Sequence, residues 1–254
     1  MSVQVTLTGL SFLITAPSGA VVHFSELDFD TPHTPEELLF EITKQLSREG
    51  ILQGPFVEVN VVYTTHNYSV VPQSLFDEHK ASEYLKFNTK ILGNDYISFD
   101  EVDGLNAVVV YVPFMNINNY LFDTFGSFSY FHASTLLMGA LLSSEKHSEA
   151  NRVFLHVLDG QFDCIVSKKG ALELCNSYQY KTPEDFIYYV LFCFEQLNLN
   201  PDSVEVQLCG AIDEQSDLYE ILYTYVRKIS FVEHEHHLLS NEAPHQHYLL
   251  KSLT

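Results

Sequence analysis

The sequence predicts an α/β protein with mixed sheets, assembled from two related halves that each run β-β-β-α-β-α. Three observations predict it. Short apolar or alternating runs of strand length come as a triplet with glycine turns, once after Val3 and again after Phe154. A helix start of the form Thr-Pro followed by two acids comes after each triplet. A Val-Glu-Val stretch then lies 23 residues beyond the first capping threonine and 22 beyond the second.

In the second half, Phe154 to Val157, Phe162 to Val166 and Ala171 to Leu174 form the triplet, turning at Asp159-Gly160 and Lys169-Gly170. Thr182-Pro183-Glu184-Asp185 supplies an N-cap, a proline at the first helical position and acids where backbone N–H groups lack partners. Phe186, Ile187, Val190, Leu191, Phe194 and Leu197 mark one face of the helix that follows. Val204 to Leu208 reads as a strand, Leu218 to Val226 as an amphipathic helix and Ile229 to Val232 as a last strand.

The first half repeats these signals with strands at Val3 to Leu7, Ser11 to Ala16 and Ala20 to Phe24. Gly9 and Gly19 are ten positions apart, as are Gly160 and Gly170. Thr34-Pro35-Glu36-Glu37 places Glu37 to complete a capping box, and Leu38, Leu39, Ile42 and Leu46 give its helix a buried stripe. Val57 to Asn60 is the expected strand.

An enlargement spans roughly residues 64–104, with a strand at Asn67 to Pro72, a helix at Ser74 to Phe87 and a strand at Tyr96 to Val102. Val108 to Val112 is β-branched throughout apart from one tyrosine, as a strand covered on both faces requires. Helices are expected at Asn116 to Phe125 and Ser134 to Leu142. The polar run from Ser143 to Arg152 is the natural boundary, giving domains at 1–147 and 148–254.

Composition narrows the function classes. A 254-residue chain that is 46% hydrophobic and 18% charged can bury a sizeable core. Its net charge of −20 repels nucleic acid and anionic lipid, and Lys168-Lys169 and Arg227-Lys228 are isolated pairs rather than a basic patch. The apolar run Gly9 to Ala16 has no preceding Lys or Arg and is followed by Pro17, so secretion is not expected. No run reaches membrane-spanning length. Four cysteines, Cys164, Cys175, Cys193 and Cys209, occur without a C-x-x-C pair, which suits buried thiols in a reducing cytoplasm.

Two copies of this unit resemble the duplicated ribonuclease-H-like arrangement of the actin-like ATPase fold. More narrowly, Leu10-Ser11-Phe12, Val70-Val71-Pro72, Phe154 to Asp163, Asn176 to Tyr189 and Leu208-Cys209-Gly210 are similar to an uncharacterised bacterial family with that fold. The likeness extends distantly to actin-related proteins of cell division and pilus assembly. In active relatives each β1–β2 turn carries an Asp, a Gly and Ser/Thr residues, whose N–H groups hold phosphates while the acid orders magnesium through water. The resemblance places those turns at Leu7 to Ser11 and His156 to Asp163. The first offers Gly9 and Ser11 but no acid. The second offers Asp159, Gly160 and Asp163, with His156 or Leu158 where the leading Asp belongs. Gly210 falls where relatives pack glycine against adenosine.

Asp159 also reads as a plain turn residue and Asp163 as an exposed strand acid. His234, Glu235, His236 and His237, with His245 and His247, suggest metal ligands or a solvated loop, and they lack the spacing of a helical zinc site. Ser11, Ser134 and Ser177 have no nucleophile-elbow surroundings. The aromatics from Tyr178 to Phe194 are assigned to packing or to a docking surface. The leading expectation is a non-catalytic actin-like module with a protein partner or self-association and no cofactor. The alternative is a nucleotide-dependent switch or ATPase using ATP and magnesium, and a metal-dependent hydrolase is a remote third.

Overall fold

A two-residue reversal at Leu7-Thr8 folds β1 (Ser2–Thr6) back on β2 (Gly9–Thr15), and β3 (Val21–Asp28) completes an antiparallel meander. The computed structural model describes residues 1–86, 91, 95–143, 145–234, 238 and 242–253. Helix α1 (Pro35–Arg48) follows because Thr34 accepts the Glu37 N–H at 3.3 Å while the Glu37 carboxylate accepts the Thr34 N–H at 2.8 Å. It buries Leu38, Ile42 and Leu46. The chain then returns as β4 (Asn60–Thr64), parallel to β1 with Asn60 opposite Ser2. The strand expected from Val57 therefore starts three residues later. Val57 is fully exposed, because the ladder with β1 begins only at Ser2.

The enlargement forms its own three-stranded sheet. β5 (Tyr68–Pro72) and β6 (Ser98–Val102) flank β7 (Ala107–Tyr111), which is buried along its whole length. The expected helix at Ser74 to Phe87 is replaced by two 3-10 turns, Gln73–Leu75 and Glu78–Lys80, and by a short α2 (Ala81–Leu85). The Tyr84 hydroxyl donates to the Leu75 carbonyl at 2.8 Å and accepts the Asp77 N–H at 2.9 Å, which holds the chain off a helical path there. Phe87 lies outside the described residues. After α3 (Met115–Phe125), the strand β8 (Ser129–His132) joins β4 in parallel and leads into α4 (Ala133–Leu142). Strand β8 was not anticipated, since four residues carry too short an alternation to read.

The second unit consists of β9 (Asn151–Leu158), β10 (Gln161–Lys168), β11 (Ala171–Gln179), α5 (Pro183–Gln196), β12 (Glu205–Gly210), α6 (Asp217–Tyr225), β13 (Lys228–Phe231) and α7 (Tyr248–Lys251). Compact packing groups Met1–Val102 and Asn106–Leu136 into the first unit and Asp103–Leu105 with Leu137–Ser252 into the second. The two five-stranded sheets have one order, β3-β2-β1-β4-β8 and β11-β10-β9-β12-β13. Three strands are antiparallel in each, and the last two join in parallel through crossovers.

Alternation along β9 and β10 sends Val153, Leu155, Val157, Phe162, Cys164 and Val166 to one face, where Phe186, Ile187, Val190, Cys193, Phe194 and Leu222 of α5 and α6 cover them. Leu191 and Leu197 are only partly buried at the edge of that core. Tyr178 and Tyr180 pack on Phe162, while Tyr188 and Phe192 stay exposed. The four cysteines are unbridged, three of them buried and Cys175 half-buried.

Candidate functional site

Strand register fixes which residues of the two units correspond. Leu158 pairs with Gln161, leaving Asp159-Gly160 at the tip, whereas Val5 pairs with Leu10 and leaves Leu7-Thr8 between Thr6 and Gly9. Gly9 therefore matches Gln161, and it is Thr8 that matches Gly160. The glycine spacing read from sequence is out of step with the fold by one position. Gly9 opens β2, where a Cβ would sit 3.0 Å from the Leu27 carbonyl oxygen. By the same register Ser11 matches Asp163, and Gln4 matches His156.

The other face of the second sheet carries a polar row. Ser177, Asp163, His156 and Cys209 stand directly opposite one another on β11, β10, β9 and β12. His156 and Asp163 are 2% and 3% exposed, and the imidazole Nδ1 lies 2.9 Å from Asp163 Oδ2. A carboxylate oxygen only accepts, so Nδ1 holds a proton and donates. Ser177 donates its hydroxyl to the other oxygen, Oδ1. A buried carboxylate survives only when paired and hydrogen-bonded, and Asp163 is both. Burial, then the Asp163 charge, pushes the Cys209 thiol pKa far up, so it stays neutral.

Asp163 is thus not the exposed strand acid that its surroundings in the sequence suggest. Its partners His156 and Ser177 were missed as a unit, although a turn at Asp159-Gly160 already implies that His156 faces Asp163. Asp159 itself is exposed at the tip, and Gly160 adopts φ +69°. The turn is braced by Tyr180, whose hydroxyl donates to the Leu158 carbonyl at 2.8 Å and whose N–H donates to that of Gly160 at 3.0 Å. In the first unit the equivalent row is Glu26, Ser11 and Gln4. Glu26 is an exposed acid on β3, outside the turn where a motif would look for one.

Gly210 ends β12 in a conformation open to glycine, φ +89°, and a Cβ there would lie 2.1 Å from the Val157 carbonyl oxygen. Its N–H donates to the His245 carbonyl at 2.8 Å, so the chain's own C-terminal segment lies against this strand end. His245 donates from Nε2 to the Ile212 carbonyl at 2.6 Å and stacks on Phe231 with centroids 4.1 Å apart. A buried Lys251–Glu242 ion pair anchors the segment, with the ammonium also donating to the Pro244 carbonyl at 3.1 Å. Of the histidine-rich stretch, Glu235, His236 and His237 lie outside the described residues. Among the described residues no three His, Cys, Asp or Glu side chains are grouped to hold a metal ion, and no helix is long and apolar enough to cross a membrane.

The family model for a protein of unknown function, DUF3822, matches residues 1–229, and the chain belongs to that family. No curated protein matches the sequence. Among solved structures, a Bacteroides thetaiotaomicron protein with an actin-like ATPase fold and unknown function superposes with a TM-score of 0.84 at 19% identity, over 99% of this chain and 93% of that one. PilM in the PilM–PilN type IV pilus biogenesis complex gives 0.57 at 11%, over 91% and 87%. The ethanolamine utilization protein EutJ from Carboxydothermus hydrogenoformans gives 0.50 at 9%, over 91% and 83%. At these identities the likeness establishes the fold alone: this chain has the actin-like ATPase fold.

Proposed function

We propose that this member of the DUF3822 family is a non-catalytic actin-like module of the cytoplasm that binds another protein or a second copy of itself. The observation that carries the reading is the engagement of Asp163. Both of its oxygens accept from His156 and Ser177 inside the sheet and the group is buried, which keeps the carboxylate from the solvated position where it would order the waters of a magnesium ion. The resemblance puts His156 or Leu158 where the leading acid belongs, and the Leu7-Thr8 turn brings no carboxylate at all. ATP with magnesium does not fit this donor set, because phosphoryl transfer depends on positioned metal and charge stabilisation. At the strand end the Gly210 N–H is already used by His245. PilM shares only the fold, and its solved complex with PilN illustrates the use of such a scaffold that we infer here with a different partner.

Asp159, exposed beside Gly160, is what remains for the competing reading of a nucleotide-dependent switch. Phosphate release from magnesium-ATP separates the two. The protein and its Asp159→Ala variant are expected to give the same background release. Multiple-turnover release that the variant loses while its melting curve is unchanged would overturn the non-catalytic reading. A saturable thermal shift with ATP or ADP, about 2.7 kcal/mol at a hundredfold excess over Kd, would favour the switch.

A further inference from the structure

The carboxyl ends of β12 and β13 frame a cavity of about 320 Å3 that lies wholly in the second unit. Loops converge at such strand ends, which is why open α/β sheets place ligands there. Asp213, Glu214 and Glu233 give the lining three carboxylates, and among the described residues no lysine or arginine contributes to it. One Asp213 oxygen accepts the Gln215 N–H at 2.9 Å, which fixes that carboxylate, while Glu214 and Glu233 are exposed and adjustable. The apolar wall is rigid, since Phe231 stacks with Tyr219 at 5.7 Å and with His245 at 4.1 Å.

The charge decides the class of ligand. A phosphate would meet three acids, and the nearby start of α6 offers little compensation. Ser216 already accepts the Tyr219 N–H, and Asp217 and Glu220 occupy the first turn. A long cationic side chain suits both parts of the lining, its stem against Pro244 and Phe231 and its head among the carboxylates. The planar fork of arginine matches paired carboxylates better than the point charge of lysine. One solvated ion pair contributes little by itself, so useful affinity needs neighbouring contacts, which a polypeptide supplies and a free amine does not. The net charge of −20 steers basic segments toward the protein.

We propose that this cavity receives an arginine side chain from a basic segment of a partner protein. The assignment rests on the interaction-module reading and names the chemistry of its partner. An end-blocked, fluorescent peptide alternating glycine and arginine is titrated with the full chain at low ionic strength, beside a peptide with citrulline for arginine. Saturable binding of the arginine peptide alone is expected. Replacing Glu214→Gln and Glu233→Gln together is expected to weaken it about tenfold. The pair Asp30→Asn with Glu36→Gln removes the same charge from exposed positions in the first unit and is expected to change affinity little. Equal weakening by both pairs, at unchanged melting temperature, would reduce the effect to overall charge and overturn the proposal. So would spermidine binding as tightly as the peptide with the same glutamate dependence. Multiple-turnover phosphate release from magnesium-ATP, lost in Asp159→Ala, would instead overturn the non-catalytic reading. Absence of any peptide binding, with ATP also inert, would overturn the cavity assignment alone.

Discussion

Gly210 shows how narrowly one residue can be constrained. A methyl group there would overlap the Val157 carbonyl oxygen, and φ +89° is unfavourable for any L side chain. Gly210→Ala is expected to cost about 3 kcal/mol or more, measured as a lower urea midpoint with little change in slope. His245 makes a pH-dependent contribution. Burial, and after it the nearby Lys251 charge, lower its pKa below 6.5, although the Ile212 carbonyl acts against them. In the unfolded chain the ring gains a proton as pH falls through 6.5, while the folded chain resists until a lower pH. Its contribution is therefore present above 6.5 and lost on acidification below it. His245→Gln is expected to lose less melting temperature than the parent as pH is lowered from 7.5 toward the depressed value, checked by melts across that range.

At the scale of elements, the two helix starts behave as their sequences dictate. Thr34 and Thr182 both accept the N–H three residues on, at 3.3 Å, beneath a proline at the first helical position. Replacing either threonine with alanine is expected to cost about 1 kcal/mol by urea unfolding. Thr34 is the more consequential of the two, since its own N–H also loses a reciprocal partner's geometry in the capping box. Caps and hairpin turns were legible because their chemistry is local. The helix expected after Ser74 failed because Tyr84, a residue within that same segment, bonds back to Leu75 and Asp77 instead of facing one side of a regular helix. Strand β8 escaped because its reason to exist is the open edge of β4, not its own four residues.

Across the whole molecule, 33 acidic residues against 13 basic ones set the long-range behaviour. No retention of duplex DNA is expected at physiological salt in a gel-shift titration, because each phosphate contact needs a cation that this surface does not concentrate. The C-terminal segment is the other feature of this scale. Lys251 and Glu242 are both buried, so Lys251→Met would remove the ammonium that balances the buried Glu242 charge and is expected to cost about 3–5 kcal/mol by chemical unfolding.

The sequence by itself determined the strand triplet and the capped helix of each half, because turns, caps and alternation act over a few residues and are written in Asp159-Gly160, Thr34-Pro35 and Thr182-Pro183. It also determined that the first phosphate-type turn has no acid. Only the tertiary structure decided what Asp163, one of the two acids of the second turn, does. Asp163 reads as solvent-facing when its neighbours along the chain are considered, and it becomes a buried, doubly bonded carboxylate when His156 and Ser177 arrive from adjoining strands. The same holds at Gly210, whose N–H is claimed by His245 from 35 residues downstream. Register across a sheet depends on the sum of many pairings, so the partners of a buried polar group become visible only when the strands are assembled.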